Sequence, residues 1–385
     1  MPCSYDPLSE VAAVKCAIGV CGIGLGHTSR QLEIARRLVE RQHDVRILTF
    51  GRGYDRFLGT EFADRCLRIF VPWLDCDSRG IRWLNTVRLN WRDGLPGLVQ
   101  NHRTFAELRA TGFTPDVCVA DYDPVTAWLA RTTDTPLVTI DQSSKYLGYQ
   151  IPPLNGMTRE EERSRLAAFF PSATKRLATS FYKIDVPRDE SYDVEIVPPI
   201  IRREVADFVP DGSREVDDCF VLVYLSSYPK KNSFVDLAQL VSIFGQFPRW
   251  RFRIYSADAT VGTDPLPNVQ VRPVAEAEFT EDLRRTSALI CTAGHTLLSE
   301  AMTLAVPVLT IPLITYDQHL CSQVIEQAGV GTGLPSHAEL SVGTVGDFLL
   351  RLAEFRDAIL VSDRLLRSPT DQVLDQVCAD IVAAA

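Results

Sequence analysis

The chain has 385 residues, enough for two domains with separate cores. Its net charge of −9 argues against nucleic-acid binding, because a protein that binds nucleic acid needs a basic face. No apolar stretch approaches the ~20 residues that cross a bilayer, and the N-terminus lacks the basic and apolar regions of a signal peptide, so we expect no integral membrane association. The ten cysteines occur singly with no C-x-x-C pair, which predicts free thiols in a reducing cytoplasm and argues against a disulfide framework or a zinc site.

Apolar runs alternate with helical periodicity through the first half of the chain. The residues Ser29–Glu40 carry Leu32, Ala35 and Leu38 on one face, which predicts an amphipathic helix. Strands alternating with helices predict parallel βαβ units and a doubly wound sheet. The stretch Trp73–Gly112 breaks this rhythm and predicts inserted helices or loops. The predicted strands of this half are 14–20, 45–50, 117–120 and 137–140.

A segment dense in proline and acidic residues, Val186–Asp218, separates this half from a second alternating series and is interpreted as a hinge. We therefore predict an N-terminal domain over residues 1–200, a C-terminal domain over residues 217–369 and a final helix over residues 370–385. The predicted strands of the second domain include 220–225, 251–255, 269–271 and 288–291.

A glycine-rich turn, C-G-I-G-L-G-H, follows the first strand and ends at His27. A dinucleotide fingerprint needs G-x-G-x-x-G, so the third glycine is misplaced here, and the next strand ends without an acidic residue for a ribose. Both departures argue against a NAD or FAD site, and no cofactor is predicted. Histidine has an ordinary pKa near neutral pH, which suits it as a general base. The alternative is that His27 caps the first helix.

Three aspartates follow predicted strands of the first domain: Asp121, Asp123 and Asp141. Ligand crevices of doubly wound sheets form at the carboxyl ends of strands, so each is a candidate functional carboxylate. Asp121 and Asp123 also form a D-x-D pair, a weak signal for a metal. Because Asp123 precedes Pro124, capping of the following helix is its alternative role.

The residues Leu289–Gly333 hold a strand, a glycine turn, a helix and a second strand that leads to Asp317 and Gln318. This order is typical of a site for a nucleotide diphosphate, because helix N-termini attract phosphate. Glu300, one turn into the helix, can accept hydrogen bonds from a ribose diol.

These three regions resemble the signatures of GT-B-fold glycosyltransferases, the class of the UDP-glycosyltransferases and the bacterial lipid-linked N-acetylglucosaminyltransferase. The resemblance is concentrated in residues 22–30, 115–145 and 289–333. It implies two Rossmann-like doubly wound α/β domains facing a cleft, with acceptor bound by the first domain, nucleotide sugar by the second, and a last helix that crosses back to the first. The chain departs from the family at Thr292 and Ala293, which replace the usual His or Asn and the first glycine.

The resemblance implies roles for individual residues. His27 is the expected base, oriented by Asp121, with Asp123 as the rival carboxylate. The expected donor contacts are Ser226, Ser227, Phe279, Gly294, His295, Thr296, Glu300, Asp317 and Gln318, where protonated His295 would add charge at the phosphates. The expected acceptor contacts are Gly26, Trp83 and Asp141.

We therefore expect a cytoplasmic, metal-independent, inverting hexosyltransferase that moves a sugar from a UDP- or dTDP-sugar to a hydroxyl of a small-molecule, natural-product acceptor, as a monomer or homodimer. One alternative is a nucleotide-sugar 2-epimerase of the same fold. Another is a non-catalytic nucleotide-sugar-binding subunit, against which the presence of both His27 and Asp121 argues.

Overall fold

A computed structural model describes residues 12–23, 25–77, 80–207, 217–226, 236–256, 259, 262–274, 276–313 and 315–385. Ser227, one of the expected donor contacts, lies outside these residues. Within them the chain forms two α/β halves, each built on a sheet of seven strands. No helix in the part described is long and apolar enough to cross a membrane.

The first half contains a parallel sheet in the order β3-β2-β1-β6-β7-β8-β9 and a short antiparallel hairpin, β4-β5. The strands in this half are β1 (Lys15–Val20), β2 (Asp44–Thr49), β3 (Cys66–Arg68), β4 (Cys76–Asp77), β5 (Gly80–Ile81), β6 (Val117–Asp121), β7 (Leu137–Asp141), β8 (Lys175–Thr179) and β9 (Glu195–Val197). The helices are α1 (Leu25–Glu40), α2 (Gly51–Leu58), α3 (Trp83–Leu89), α4 (Gly94–Ala110), α5 (Pro124–Thr133), α6 (Lys145–Gly148), α7 (Glu160–Phe169) and α8 (Arg203–Ala206), with a 3₁₀ turn at Ala63–Arg65.

The second half contains a sheet in the order β12-β13-β11-β10-β14-β15-β16. Among the described strands of this sheet, only β12, at its edge, runs antiparallel. The strands are β10 (Asp217–Leu225), β11 (Arg251–Ser256), β12 (Thr263–Leu266), β13 (Val269–Pro273), β14 (Thr286–Cys291), β15 (Val308–Thr310) and β16 (Gly331–Gly333). The helices are α9 (Leu237–Phe244), α10 (Glu276–Arg285), α11 (His295–Thr303), α12 (Tyr316–Ala328), α13 (Val342–Leu350), α14 (Leu352–Val361) and α15 (Thr370–Ala384), with a 3₁₀ turn at His337–Glu339.

The predicted fold class is confirmed, because the central strands of both sheets are parallel and covered by helices. The β1, β6 and β14 strands are almost continuously apolar and buried, as expected for strands covered on both faces. The last helix, α15, lies against α1 of the first half, where Val377 and Ile381 join the core around Leu38.

Three details differ from the sequence predictions. The first helix begins at Leu25, four residues earlier than predicted, so His27 lies in its first turn. Part of the predicted hinge is a strand, since β9 extends the first sheet beside β8. The first sheet also contains strands that were not predicted, among them β3 and β8.

Candidate active site

A cavity of about 260 Å³ lies between the two halves and is bordered by the N-terminal ends of two helices. Gly26 and His27 reach it from α1, and Gly294 and His295 reach it from the start of α11. The helices approach closely, because a Cβ atom on Gly26 would lie 2.5 Å from Thr296 Oγ1. Both helix ends direct unpaired N–H groups and the positive end of a dipole toward the cavity, so the cavity favours an anion.

His27 and Asp121 form a hydrogen-bonded pair at the first-half wall of this cavity. His27 Nδ1 lies 2.7 Å from Asp121 Oδ1. Arg30 and Gln31, three and four residues further along α1, share the His27 side of the helix. The Arg30 guanidinium donates to both oxygens of Asp121 at 2.8–3.0 Å, and Gln31 Nε2 donates to Oδ2 at 3.0 Å. The fully buried Asp121 carboxylate is therefore held by three side chains from one helix.

This arrangement fixes the ionisation of Asp121 and the orientation of His27. Burial alone raises the pKa of Asp121, but the charge of Arg30 and the hydrogen bonds from His27 and Gln31 outweigh it and hold that pKa below its ordinary value. An ionised carboxylate only accepts hydrogen bonds, so it selects the tautomer in which His27 carries its proton on Nδ1. The unprotonated Nε2 of His27 is then available to a ligand of the cavity.

Asp123, Asp141 and Trp83 do not reach the cavity, which corrects the placement expected for them. Asp123 is fully buried and caps α5, accepting from the backbone N–H groups of residues 125 and 126 at 3.0 and 2.9 Å. Asp141 is fully buried and accepts from Ser143 and Ser144. Trp83 lies on the exposed face of α3. Both aspartates therefore act as local backbone caps.

The start of α11, where a phosphate site is predicted, borders the cavity. His295 is buried and lines the cavity, and its Nε2 has no hydrogen-bond partner among the described residues. Burial, reinforced by the charge of Lys145, lowers the pKa of His295 well below its ordinary value. This shift favours the neutral imidazole over the charged one. A neutral imidazole can still donate one hydrogen bond to a phosphate oxygen.

Ala293 occupies the place of the family's glycine and has a φ of 57°, in the left-handed region. That conformation costs an alanine roughly 1–2 kcal/mol because its Cβ crowds the backbone. The turn before α11 thus keeps its glycine-like shape despite the substitution.

Glu300 lines the cavity one turn above the phosphate position and is paired with Arg202. Arg202 Nε and Nη2 donate to the two Glu300 oxygens at 2.6 and 2.8 Å, and its Nη1 donates to Thr280 at 2.9 Å. Each carboxylate oxygen has two lone pairs, so Glu300 retains acceptor capacity beside Arg202.

The opposite end of the cavity is aromatic. Tyr224 and Phe279 both line it, with ring centroids 5.3 Å apart in an edge-to-face arrangement, and Val274 lies beside them. Ser226 also lines the cavity, and its hydroxyl lies 2.6 Å from that of Thr292. This end suits the flat face of a nucleobase.

Asp317 and Gln318, expected as a pair, have separate surroundings. Gln318 lines the cavity and accepts from the Leu313 N–H at 2.8 Å, which leaves its amide Nε2 to donate to a ligand. The Asp317 carboxylate contacts the first half, where Tyr146 donates to it at 2.6 Å and Lys145 donates to it at 3.2 Å. Burial opposes ionisation of Asp317, but the charge of Lys145 and the hydrogen bonds from Tyr146 and Lys145 hold its pKa below the ordinary value.

The family profile described as glycosyl transferase family 1 matches residues 14–353. The chain belongs to glycosyl transferase family 1. Its position in that family identifies it as a glycosyltransferase enzyme. No curated protein shows significant sequence similarity to this glycosyltransferase.

Solved structures with this fold cover almost the whole chain. The glycotransferase of kitacinnamycin is 16% identical, with 97% of each chain covered and a TM-score of 0.63. SnogD from Streptomyces nogalater is 17% identical, covering 97% of this chain and 100% of its own, with a TM-score of 0.57. Arabidopsis thaliana UGT89C1 complexed with UDP-L-rhamnose is 13% identical, covering 96% and 100%, with a TM-score of 0.62. The glycosyltransferase therefore has the GT-B fold.

Sequence reasoning missed several residues of the site. The cavity-lining ones that were not expected are Ser29, Gln142, Arg202, Tyr224 and Leu297. Arg30 and Gln31 carried a usable signal, since they follow His27 at helical spacing. Arg202 and Gln142 carried none, because only the packing of the two halves brings them to the cavity.

Proposed function

We propose that this glycosyltransferase moves a sugar from a nucleotide diphosphate sugar to a hydroxyl group of a small-molecule acceptor with inversion at the anomeric carbon. The observation that carries the proposal is one cavity bordered by a His27–Asp121 pair on one side and the N-terminus of α11 on the other. A base and an anion site on opposite walls are what an in-line displacement requires.

The donor is proposed to lie along the second-half wall. The nucleobase contacts Tyr224 and Phe279, the ribose hydroxyls donate to Glu300, and the diphosphate accepts from the first N–H groups of α11 and from His295. These donors are fixed before the reaction, so they stabilise the negative charge that develops on the departing diphosphate.

His27 is proposed to take the proton of the acceptor hydroxyl. As the hydroxyl oxygen bonds to the anomeric carbon and the bond to the diphosphate breaks, the proton passes to His27 Nε2. The resulting imidazolium is stabilised by the Asp121 carboxylate, 2.7 Å from Nδ1.

The acceptor class is proposed from the names of similar structures, which refer to kitacinnamycin, and, for a second structure of UGT89C1, to quercetin. By analogy we propose a natural-product acceptor with a free hydroxyl group.

The donor assignment is tested by titration calorimetry after native mass spectrometry with UDP- and dTDP-sugars has identified the nucleotide. The Glu300→Gln variant should bind the free nucleoside diphosphate about tenfold to a hundredfold more weakly, because it loses hydrogen bonds to a charged acceptor. Glutamine keeps the side-chain shape beside Arg202.

A matched control is Asp282→Asn. Asp282 is also a buried carboxylate of the second half, bound by Arg253 at 2.7 and 2.8 Å, but it does not line the cavity. This variant should lose a similar ion pair and keep its affinity for the diphosphate. Equal losses in both variants would show that Glu300 supports the fold and not the ribose.

Transfer should persist in excess EDTA. The D-x-D carboxylates are both engaged, Asp121 by Arg30 and His27 and Asp123 by the start of α5. The diphosphate is proposed to be held by helix N–H groups. Loss of turnover in EDTA, with recovery on adding manganese, would overturn this assignment.

A further inference from the structure

Helices α3 and α4 present their apolar side chains to solvent and their polar side chains to the protein. The buried residues of α3 and α4 are Thr86, Gly97, Asn101, Thr104 and Leu108. The exposed ones are Trp83, Leu84, Val87, Leu89, Trp91 (between the helices), Leu95, Leu98 and Val99. A helix of a globular protein normally has the reverse arrangement.

Polar side chains attach this pair of helices to the first half. Asn101 donates to and accepts from the backbone of Phe70 at 2.7 Å, and Asn90 does the same with Trp73 at 2.7 and 2.9 Å. Thr104 donates to the Arg68 carbonyl at 2.8 Å. The helices are thus held in a fixed orientation in which the apolar residues stay outside.

The exposed side chains form what we call the α3–α4 surface, comprising the eight apolar residues named above. Its most prominent members are Leu84, Trp91 and Leu95, exposed by 90%, 81% and 73%. A group of exposed apolar side chains on two consecutive helices is typical of a contact site for a membrane or another molecule.

Arginines are interspersed with these residues. Residues 82–103 contain four arginines and one acidic residue, whereas the whole chain has a net charge of −9. Arg82, Arg88, Arg92 and Arg103 are all exposed, and because Arg82 is paired with Asp75 at 2.7 Å, the positive charge of the surface comes from the other three. The surface is therefore locally basic on an acidic protein, which matches a negatively charged partner.

We propose that the α3–α4 surface docks on an anionic lipid bilayer. Leucine side chains enter the acyl boundary, tryptophan rings lie at the headgroup level, and arginines pair with lipid phosphates, as in helices that lie in the plane of a membrane. A second copy of this chain fits less well, since a symmetric contact would place each arginine cluster against its own copy.

Flotation with vesicles of phosphatidylglycerol and phosphatidylcholine in equal amounts tests the proposal. The full chain should float with these vesicles, should be released by high salt and should bind pure phosphatidylcholine weakly. The Leu84→Ser/Leu95→Ser variant should bind at least about tenfold more weakly. Brominated lipids should quench the tryptophan fluorescence of the wild type.

The matched control is Leu350→Ser/Val361→Ser, which removes two equally exposed apolar residues of the second half, 86% and 83% exposed. It should float like the wild type, and circular dichroism should show both variants folded. Three results would overturn the proposal: no vesicle binding by the wild type, equal loss in both variants, or a wild-type dimer in sedimentation that only Leu84→Ser/Leu95→Ser dissociates. Salt-sensitive binding to an acidic protein, with no binding to vesicles, would also overturn the proposal and would assign the surface to a protein partner.

Discussion

Replacing His27 with alanine should lower kcat by about 10²–10⁴-fold and leave the affinity for the nucleoside diphosphate nearly unchanged. The imidazole is proposed to remove the acceptor proton in the rate-limiting displacement, whereas the donor contacts lie on the opposite wall of the cavity. Steady-state kinetics with saturating donor, together with calorimetry of the diphosphate, separates the two effects.

His43→Ala is the matched control. His43 belongs to the same half, but it directly precedes β2, at the amino-terminal ends of the strands. There its Nδ1 accepts from the Val14 N–H at 3.2 Å. Its removal should change stability and not turnover. If the turnover rate of His27→Ala were within a few-fold of the wild-type rate, the role of His27 would be structural, at the start of α1.

The sequence predicted the fold because the fold depends on patterns that are local. Buried strands such as Val117–Asp121 are continuous apolar runs, and α1 has a regular apolar stripe, so both could be recognised without tertiary information. The strands that were not identified are β3, β4, β5, β8, β9, β12 and β16, and all of them are short. Except for β8, those in the two large sheets lie at sheet edges, where burial imposes little pattern.

The site was predictable where a residue's role follows from its place on an element. His27 lies in the first turn of α1, and Asp121 ends β6 beside β1, so their convergence on one edge of the first sheet follows from topology. The capping role of Asp123 was also visible from Pro124. Whether a strand-end aspartate faces the cavity or its own backbone depends on one or two residues of loop geometry, as Asp141 shows.

Contacts between the halves were not predictable. Arg202 reaches Glu300 across 98 residues of sequence, and Lys145 reaches Asp317 across 172. Both cations come from segments with no recognisable motif. Two acidic residues expected to bind the donor are therefore also ion-pair partners of the first half, which ties the donor site to the arrangement of the halves.

Replacing Asp121 with asparagine should reduce both stability and activity. The change leaves the buried Arg30 guanidinium without its counter-charge, and removal of one partner of a buried ion pair costs roughly 3–5 kcal/mol. It should also lower kcat by up to about 10⁴-fold, because an amide can donate to His27 Nδ1 and so select the wrong tautomer. Denaturant unfolding and kinetics on the folded fraction measure the two losses.

The stability loss should depend on pH in one direction. Since the folded-state pKa of Asp121 lies below its ordinary value, the ionised carboxylate stabilises the wild type above about pH 4, the unfolded-state pKa, and this contribution is lost as the pH falls through the folded-state pKa. The difference in unfolding free energy between wild type and Asp121→Asn should therefore shrink as the pH falls below about 4, toward the folded-state pKa of Asp121.

A double-mutant cycle with Arg30→Met separates the structural role of Asp121 from its role in orienting His27. The double variant has no unpaired buried charge, so it should regain much of the stability lost by Asp121→Asn while its kcat stays low. Asp123→Asn is the matched control, because this equally buried carboxylate accepts from two backbone N–H groups, of which an asparagine oxygen keeps one; its kcat should stay near that of the wild type, and its stability loss should be smaller than that of Asp121→Asn. Recovery of activity together with stability would mean that Asp121 serves the fold alone. A larger loss of kcat in Asp123→Asn than in Asp121→Asn would move the orienting role to Asp123.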